Sequence, residues 1–288
     1  MTKTWTQIDI TCGAETADIL AVEFAEALGV SIEYISGGIR LYLDSTRFAV
    51  EKDRLRQIVH SASALAPDQG PIGLAFSEIP DEDWSRTWKE HFKPLRIGRR
   101  FLVCPTWEPT PRDLERLIIR IDPGRAFGTG HHETTRLCLE WLESCVELES
   151  GSFRRSFLDV GTGSGILAIG AALLGFREVV GIDNDPEAIE VAAENVTLNG
   201  LSEKIRLVCA TLEEAGGSFD VVISNIESKP LIRLSETIVS KVRDKGLLAL
   251  SGILVEQADE VRAEYEKKGL RLTGRKTAGE WVLLAFRK

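Results

Sequence analysis

The alternation of apolar and polar residues over the first 80 positions predicts a small α/β sandwich. Segments with a two-residue apolar period indicate strands, and segments with apolar residues three or four apart indicate helices. In chain order, the predicted elements are strand 4–11, helix 14–28, strands 31–36 and 39–43, helix 54–65 and strand 72–79. Gly37-Gly38 separates the two middle strands and is typical of a hairpin turn. This β-α-β-β-α-β order predicts a ferredoxin-like α+β fold.

From residue 156 onward, short apolar strands alternate with amphipathic helices. The predicted strands are 157–161, 178–183, 205–210, 219–226, 246–253 and two within 271–288, and the predicted helices are 165–175, 186–200, 230–242 and 255–269. Such alternation with short connections predicts a Rossmann-like, mostly parallel sheet with helices on both faces. No helix separates the last two strands, so we expect them to form an antiparallel pair at one edge of the sheet.

The segment between these halves divides the chain into domains. It begins with DEDWSRTWKEH, in which Trp84 and Trp88 would share one face of a helix. That helix either packs on the next domain or contacts the substrate, and the residues after it indicate a hairpin or two short strands within 92–107. We therefore predict three parts: a ferredoxin-like substrate-recognition domain over 1–80, a linker helix over 81–94 and a second domain over 95–288.

Composition and charge narrow the functional classes. The 288 residues include 35 Lys and Arg against 44 Asp and Glu, a formal net charge of -9. That balance argues against a general nucleic-acid-binding protein and suits a basic, Lys-rich partner. No apolar run approaches the roughly 18 residues of a membrane span, and the first ten residues lack a signal-peptide core, so we expect a cytoplasmic protein. The five cysteines show no C-x-x-C spacing, which disfavours a zinc or redox site.

The strongest chemical signal is Asp159-Val-Gly161-Thr-Gly163-Ser-Gly165, which stands between a predicted strand and a predicted helix. Glycines permit positive φ and lack the Cβ that would block a ligand, and the helix N-terminus offers N–H donors. A tight turn with a purely structural purpose is the alternative. A dinucleotide-binding turn reads G-x-G-x-x-G, and Ile166 occupies the position of its third glycine, which disfavours NAD.

Two further polar residues stand at the ends of predicted strands. Asp183, in the motif GIDNDP, can accept hydrogen bonds from both hydroxyls of a ribose, whereas Asp185 is expected to cap the helix that begins at Pro186. Asn225 ends a later strand, where its carbonyl can accept a hydrogen bond from an amine or a cofactor, or where it simply stands in a loop turn. The ribose is common to NAD and S-adenosylmethionine, so the carboxylate indicates a nucleoside and no particular reaction.

A second glycine-containing segment reads IDPGRAFGTGHHETT and precedes the predicted helix 136–143. Its glycines suggest a loop that closes over a ligand, and Thr134 and Thr135 can present hydroxyl and N–H groups at a helix start. The adjacent His131 and His132 lack the further ligands that a metal ion needs, which disfavours a metal site.

Together, these motifs resemble the ribosomal protein L11 methyltransferase family (PrmA-type). The resemblance covers about residues 83–281 and rests on the segments DWSRTWKEHFKPLRIGRRFLVCPTW, DPGRAFGTGHHETTRLCLEWLE, LDVGTGSGILAIGAALLG, GIDNDPEAI and SNI. It implies a seven-stranded class I methyltransferase domain that uses S-adenosylmethionine to methylate amino groups, both the α-amine and lysine side chains, of a large-subunit ribosomal protein. Carried over by position, it implies cofactor contacts at Thr135, Gly161, Asp183 and Asn225, and Gly163, Phe127 and Thr134 are further cofactor candidates. Asn225 is our candidate catalytic residue, which would hold the substrate nitrogen or the cofactor near it.

The chain departs from the family pattern at two places that border the expected reaction centre. Where the family has G-T-G-T-H-P-T-T, His131 replaces Thr and Glu133 replaces Pro. After Asn225-Ile226, the family has a small or apolar pair, whereas Glu227-Ser228 follow here. Glu227 either attracts a cationic substrate or is merely solvated. Two alternatives therefore stay open: a related methyltransferase with another protein or small molecule as substrate, and a protein that binds S-adenosylmethionine without turnover. Direct nucleic-acid binding and membrane contact are not expected.

Overall fold

The chain consists of two compact units, Met1–His91 and Phe92–Lys288. Within them, the computed structural model describes residues 4–28, 30, 32–35, 37–65, 72–80, 93–109, 115–122, 130, 132–147 and 156–288. The linker helix predicted over 81–94, with both of its tryptophans, lies almost wholly outside the described residues. Each unit has its own hydrophobic core, and none of the described helices is long and apolar enough to cross a membrane.

The first unit is a four-stranded antiparallel sheet covered by two helices. Its elements are β1 (Thr4–Thr11), α1 (Ala14–Leu28), β2 (Ile32–Ile35), β3 (Gly38–Asp44), α2 (Ser45–Leu65) and β4 (Gly73–Pro80). The strand order is β2-β3-β1-β4, and alternate residues such as Ile8, Ile10 and Leu41 are buried in the core with helix residues such as Leu20 and Leu55. This order and this layering confirm the ferredoxin-like fold.

Helix α2 begins at Ser45, earlier than the predicted start at residue 54. The Asp44 carboxylate accepts a hydrogen bond from the Thr46 backbone N–H at 2.9 Å, so it satisfies one of the free donors of the first turn. Val50, within the turns that the prediction missed, is 82% exposed and does not extend the apolar face of the predicted helix 54–65. The prediction missed the first turns of α2 because a cap, and no apolar stripe, defines where the helix begins.

The second unit opens with a small three-stranded sheet and a helix. Its elements are β5 (Leu95–Ile97), β6 (Phe101–Pro105), β7 (Leu117–Ile121) and α3 (Glu133–Glu147). β5 and β6 form the antiparallel pair expected within 92–107, but β7 was not predicted and pairs parallel with β6. The side chain of Asn199 holds β7 in place, because it accepts from the Arg120 N–H at 2.9 Å and donates to the Arg120 carbonyl at 2.7 Å.

A seven-stranded sheet forms the body of the second unit. Its strands and helices are β8 (Ser156–Val160), α4 (Ile166–Leu174), β9 (Glu178–Asp183), α5 (Pro186–Leu198), β10 (Ile205–Cys209), β11 (Phe219–Asn225), α6 (Ser228–Arg233), α7 (Ser235–Lys241), β12 (Val242–Leu254), α8 (Ala258–Lys267), β13 (Arg271–Ala278) and β14 (Trp281–Arg287). The strand order is β10-β9-β8-β11-β12-β14-β13, with β8 to β12 parallel and β14 antiparallel to both of its neighbours. The predicted sheet and its antiparallel edge pair are confirmed.

Both faces of this sheet are buried, which explains why its strands are almost continuously apolar. Phe157 and Ile223 face a core completed by α3, α4 and α5, whereas Leu158 and Val222 face a core completed by α6, α7 and α8. The single helix predicted over 230–242 is wrong, because the chain breaks at Leu234 into α6 and α7. Leu234 is the C-cap of α6 and the N-cap of α7, and its φ of −91° and ψ of 6° depart from α-helical values.

A buried carboxylate ties α3 to the turn between β5 and β6. Glu143 accepts hydrogen bonds from three consecutive backbone N–H groups, those of Arg99, Arg100 and Phe101, at 2.9, 2.8 and 3.2 Å. Gly98 precedes them with φ +54°, and a Cβ at that position would lie 2.3 Å from a carboxylate oxygen of Glu143. The turn therefore wraps around the carboxylate and fixes the hairpin on the helix.

We expect Glu143→Gln to destabilise the protein by about 1–3 kcal/mol, because the amide replaces an accepting oxygen with a donor that faces other donors. Glu140→Gln is the matched control on the same helix. Its carboxylate pairs with Lys276 near the surface and should contribute less than about 1 kcal/mol. Urea unfolding of both variants measures the difference. Equal losses would show that the three N–H groups find other partners.

Candidate functional site

A cavity of about 830 Å³ opens at the carboxyl ends of the parallel strands, where open α/β sheets bind nucleotides. The strand order fixes the order of its lining residues along the sheet edge. From β10 to β14 they are Ala210 to Leu212, Asp183, Gly161 and Gly163, Asn225 and Ile226, Gly252 and Trp281. The cavity is therefore an elongated groove across six strand ends.

The glycine turn after β8 forms the centre of the groove. Gly161, Gly163 and Gly165 have φ values of +72°, +53° and +80°, a region that side chains rarely adopt. The N–H groups of Gly161 and Thr162 both bond to the Ile182 carbonyl, at 2.9 and 3.0 Å, so the turn is fastened to β9. The turn then leads into α4, whose N-terminus faces the groove.

Asp159 lies beneath this turn and is fully buried. Burial raises the pKa of its carboxyl to about 7, against the opposing effect of a 2.7 Å hydrogen bond from the Thr162 hydroxyl and of the Ala168 backbone N–H. The negative charge of Asp183 makes a smaller contribution to the same increase in pKa. Close to neutral pH, the turn therefore rests on a group that can hold or release a proton.

The two carboxylates after β9 have different surroundings. Asp185 stands at the N-cap of α5, where it accepts from the Glu187 N–H at 2.9 Å, so the predicted capping role is confirmed. Asp183 accepts from the Gly163 N–H at 3.0 Å and from the Asp185 N–H at 3.1 Å. A carboxylate has about four acceptor sites, so Asp183 keeps acceptor capacity toward the groove.

Two buried oxygens in the groove have no hydrogen-bond partner within the described chain. They are the Oδ1 of Asn225, at the end of β11, and the Oγ1 of Thr135, in the first turn of α3. The preceding Thr134 is already engaged, because its hydroxyl lies 2.8 Å from Nδ1 of His132. Buried polar atoms are nearly always paired, so the oxygens of Asn225 and Thr135 indicate that a polar ligand belongs in the groove.

The structure brings six of the seven predicted cofactor residues to this groove: Thr134, Thr135, Gly161, Gly163, Asp183 and Asn225. Phe127 lies outside the described residues. His132 lines the groove and packs its ring edgewise on Trp281, with 4.9 Å between the ring centroids. Among the described residues, no group of three or more His, Cys, Asp and Glu side chains could hold a metal ion.

Of Glu133 and Glu227, which are both expected to border the reaction centre, only Glu227 is among the described residues that line the groove. Glu227 lines the groove, is exposed and occupies the N-cap position of α6 without a side-chain capping bond. Glu133 stands in the first turn of α3 and is not among the described residues that line the groove. On a helix, only some residues of the first turn face a given side, and Thr134 and Thr135 take those positions here.

Sequence reasoning missed the two ends of the groove. Ala210 to Leu212 follow β10, and the alternation of strands and helices could have placed them, because every parallel strand ends at the same edge. Trp281 begins β14, and only the antiparallel direction of that strand brings its start to the edge. Trp281 lies opposite Leu254, close to the end of β12.

The groove at the glycine turn is of the kind that binds nucleotides. In the sheet that carries it, the last strand in chain order, β14, is inserted antiparallel beside β12. Together, this groove and this sheet define a class I methyltransferase. Enzymes of this class use S-adenosylmethionine as the methyl donor, and the position of Ile166 had already disfavoured a dinucleotide.

Comparison with known proteins gives the particular family. The family model described as ribosomal protein L11 methyltransferase (PrmA) matches residues 4–288, so the chain belongs to that family. It is 38% identical to the ribosomal protein L11 methyltransferase of Pelobacter propionicus, over 100% of this chain and 99% of the relative. It is 39% identical to that of Geobacter sulfurreducens, with the same two coverages. A crystal structure of the ribosomal protein L11 methylase from Lactobacillus delbrueckii subsp. bulgaricus superimposes with a TM-score of 0.62 at 32% identity, over 68% of this chain and 100% of that one.

Asp159 should make the stability of the cofactor-free protein fall as the pH rises toward neutral. Its pKa is about 7 in the folded protein and near 3.8 as the ordinary value, so between these limits the folded chain keeps a proton that the unfolded chain has lost. The contribution of Asp159 to the free energy of unfolding is then fully present below about pH 4 and is lost as the pH rises past 7. It amounts to about 1.4 kcal/mol per unit of pKa shift. Urea unfolding at several pH values should show a steeper fall for the wild-type protein than for Asp159→Asn. Parallel curves would contradict the prediction.

Proposed function

We propose that this chain transfers methyl groups from S-adenosylmethionine to amino groups of ribosomal protein L11, on lysine side chains, on the N-terminal α-amine or on both. The observation that carries the proposal is the match over nearly the whole chain to relatives that are named for this substrate. The net charge of -9 supports a basic protein as the partner. The reaction would take place in the cytoplasm, where ribosomal proteins are made.

The groove suits S-adenosylmethionine in the kind of groups it presents. Asp183 has acceptor sites left for the ribose hydroxyls, and the unpartnered oxygens of Thr135 and Asn225 suit the donors of an ammonium or amine. The turn through Gly161 and Gly163 and the N-terminus of α4 suit the carboxylate of the methionine part. We assign the adenine to the β10 end, beside Ala210 to Leu212, because that end lies beyond Asp183.

When bound, the cofactor supplies a methyl group that is already activated as a sulfonium. The residues of the chain must bring an amine in line with it and keep water away. Asn225 accepts a hydrogen bond from the amine through Oδ1, which orients the nitrogen lone pair. A lysine has an ordinary pKa near 10.4 and must lose its proton first. The apolar surfaces of Ile226, Leu234 and Trp281 lower that pKa by desolvation, and solvent takes the proton.

We further propose that the first unit recognises the protein substrate. Its sheet and helices carry none of the residues assigned to the cofactor, and its fold is complete in itself. Residues 81–94 would then join the unit that recognises the substrate to the unit that transfers the methyl group.

The test is transfer of labelled methyl from S-adenosylmethionine into a ribosome-bearing lysate, followed by mass mapping of the labelled protein. We expect label in L11 with the full chain, and loss of most of that label with residues 95–288 alone, provided that this shortened chain still binds the cofactor. Label in another protein or a small molecule would favour the alternative suggested by Glu227. Cofactor binding with no label anywhere would favour a protein without turnover.

Asp183→Ala should weaken the binding of S-adenosylmethionine by about 1.5–3 kcal/mol, the scale of a hydrogen bond to a charged group. Asp185→Ala is the matched control two positions away, and its main cost should be the stability of α5. Calorimetric titration of both variants measures the affinities. Equal losses of affinity would mean that the wrong carboxylate was assigned to the ribose.

Glu227→Leu should raise the KM for the protein substrate and leave the affinity for S-adenosylmethionine nearly unchanged. An exposed carboxylate at the groove attracts a cation over about 8 Å at physiological salt, so turnover by the wild-type enzyme should also fall as salt rises. Glu133→Leu is the control, because that residue is outside the described lining of the groove. Steady-state kinetics at two salt concentrations measure both effects. An unchanged KM would show that Glu227 is merely solvated and does not attract the substrate.

A further inference from the structure

Ile226 stands between two glycines, Gly161 in the turn after β8 and Gly252 within β12. A Cβ added to Gly161 would lie 2.6 Å from the Cγ2 methyl of Ile226, and a Cβ added to Gly252 would lie 2.4 Å from the Ile226 carbonyl oxygen. Both distances are far below van der Waals contact. The space that these two glycines leave open is therefore occupied by Ile226, which also lines the groove.

The strand order explains this arrangement. β11 lies between β8 and β12, and Asn225 ends β11 in register with Ser251, the residue before Gly252. The chain must then leave the sheet and begin α6 at Ser228 within two residues. A turn this tight, between two neighbouring strands, fits only where the neighbours have no side chains.

We propose that Ile226 is a positioning residue for methyl transfer, which holds the amide of Asn225 at the reaction centre through its contacts with Gly161 and Gly252. A β-branched side chain has a stiff χ1. The Cγ2 methyl of Ile226, packed against Gly161, therefore fixes the backbone of Ile226, the residue that follows Asn225. The inference rests on the proposed role of Asn225 as the residue that orients the amine. It gives a second reason for glycine at position 161, because the absence of a Cβ leaves room for the side chain of Ile226 as well as for the cofactor.

The contact can be tested in the cofactor-free protein, without reference to activity. Leucine has the volume of isoleucine but branches at Cγ, so Ile226→Leu removes the methyl that a Cβ at position 161 would meet. Gly161→Ala adds that Cβ, together with the strain of φ +72°. Gly200→Ala is the matched control, since Gly200 has φ +67° and nothing within 4 Å of its added Cβ.

We expect Gly161→Ala to lower the urea midpoint more than Gly200→Ala does, and Ile226→Leu to recover that excess in the double variant. A non-additive cycle of this kind is the signature of two groups in contact. Additive losses in the cycle, or equal effects of the two alanine variants, would overturn the contact as the reason for glycine at position 161.

The positioning role is tested by kinetics with the methylated acceptor. Ile226→Leu should lower kcat by about tenfold, since small misplacements at a reaction centre are costly, while the KM and the calorimetric affinity for S-adenosylmethionine stay within about twofold. Ile226→Val keeps the β-branch and should retain near wild-type kcat. Equal kcat values for the two variants, or a parallel loss of cofactor affinity, would overturn the positioning role. A wild-type protein that methylates no acceptor would overturn the proposed function and this role together, and the stability cycle would still decide the contact alone.

Discussion

Three neighbouring strands end close together, and this close approach limits which residues fit at the groove. Adjacent strands lie about 4.8 Å apart, so the turn after β8, the turn after β11 and the last residues of β12 compete for the same space at the sheet edge. Gly161 and Gly252 resolve that competition by having no side chains, and the turn of β11 fits between them. The cofactor site, the Asn225 amide and the entry into α6 all depend on this packing, because each is placed by the turn after β8 or by the turn after β11.

Short sequence motifs predict those parts of the fold and of the site that depend on residues close together in the chain. The three glycines after β8 predict a turn because positive φ excludes other residues, and Asp185-Pro predicts the start of α5 because the cap and the ring suit that position. The apolar strands and helices of the large sheet were predictable from their periodicity. Asp183 and Asn225 could be placed on one edge without coordinates, since parallel strands end on the same side.

Features that depend on distant partners were not predictable in this way. β7 is a strand because it lies beside β6 and because Asn199, far along the chain, satisfies its backbone. The break between α6 and α7 is made by a turn in a stretch whose apolar spacing suits one continuous helix. The place of Trp281 in the groove follows from the direction of β14, and the side of α3 on which Glu133 stands follows from how that helix packs. For β7 and for Trp281, the partner that decides the structure lies far along the chain, where no periodicity in the sequence indicates it.

The insertion of β14 between β12 and β13 has a consequence for how the protein is made. Synthesis on the ribosome delivers β13 before β14, and β13 has no neighbour in the sheet other than β14. The nascent chain therefore holds β12 with an open side and β13 without a partner until the last described strand emerges. That strand also brings Trp281, so the wall at one end of the groove is in place only after β14 has paired with β12. A partly made chain can already have its glycine turn in place and still lack the closed groove, which delays the formation of a complete enzyme until translation has passed β14.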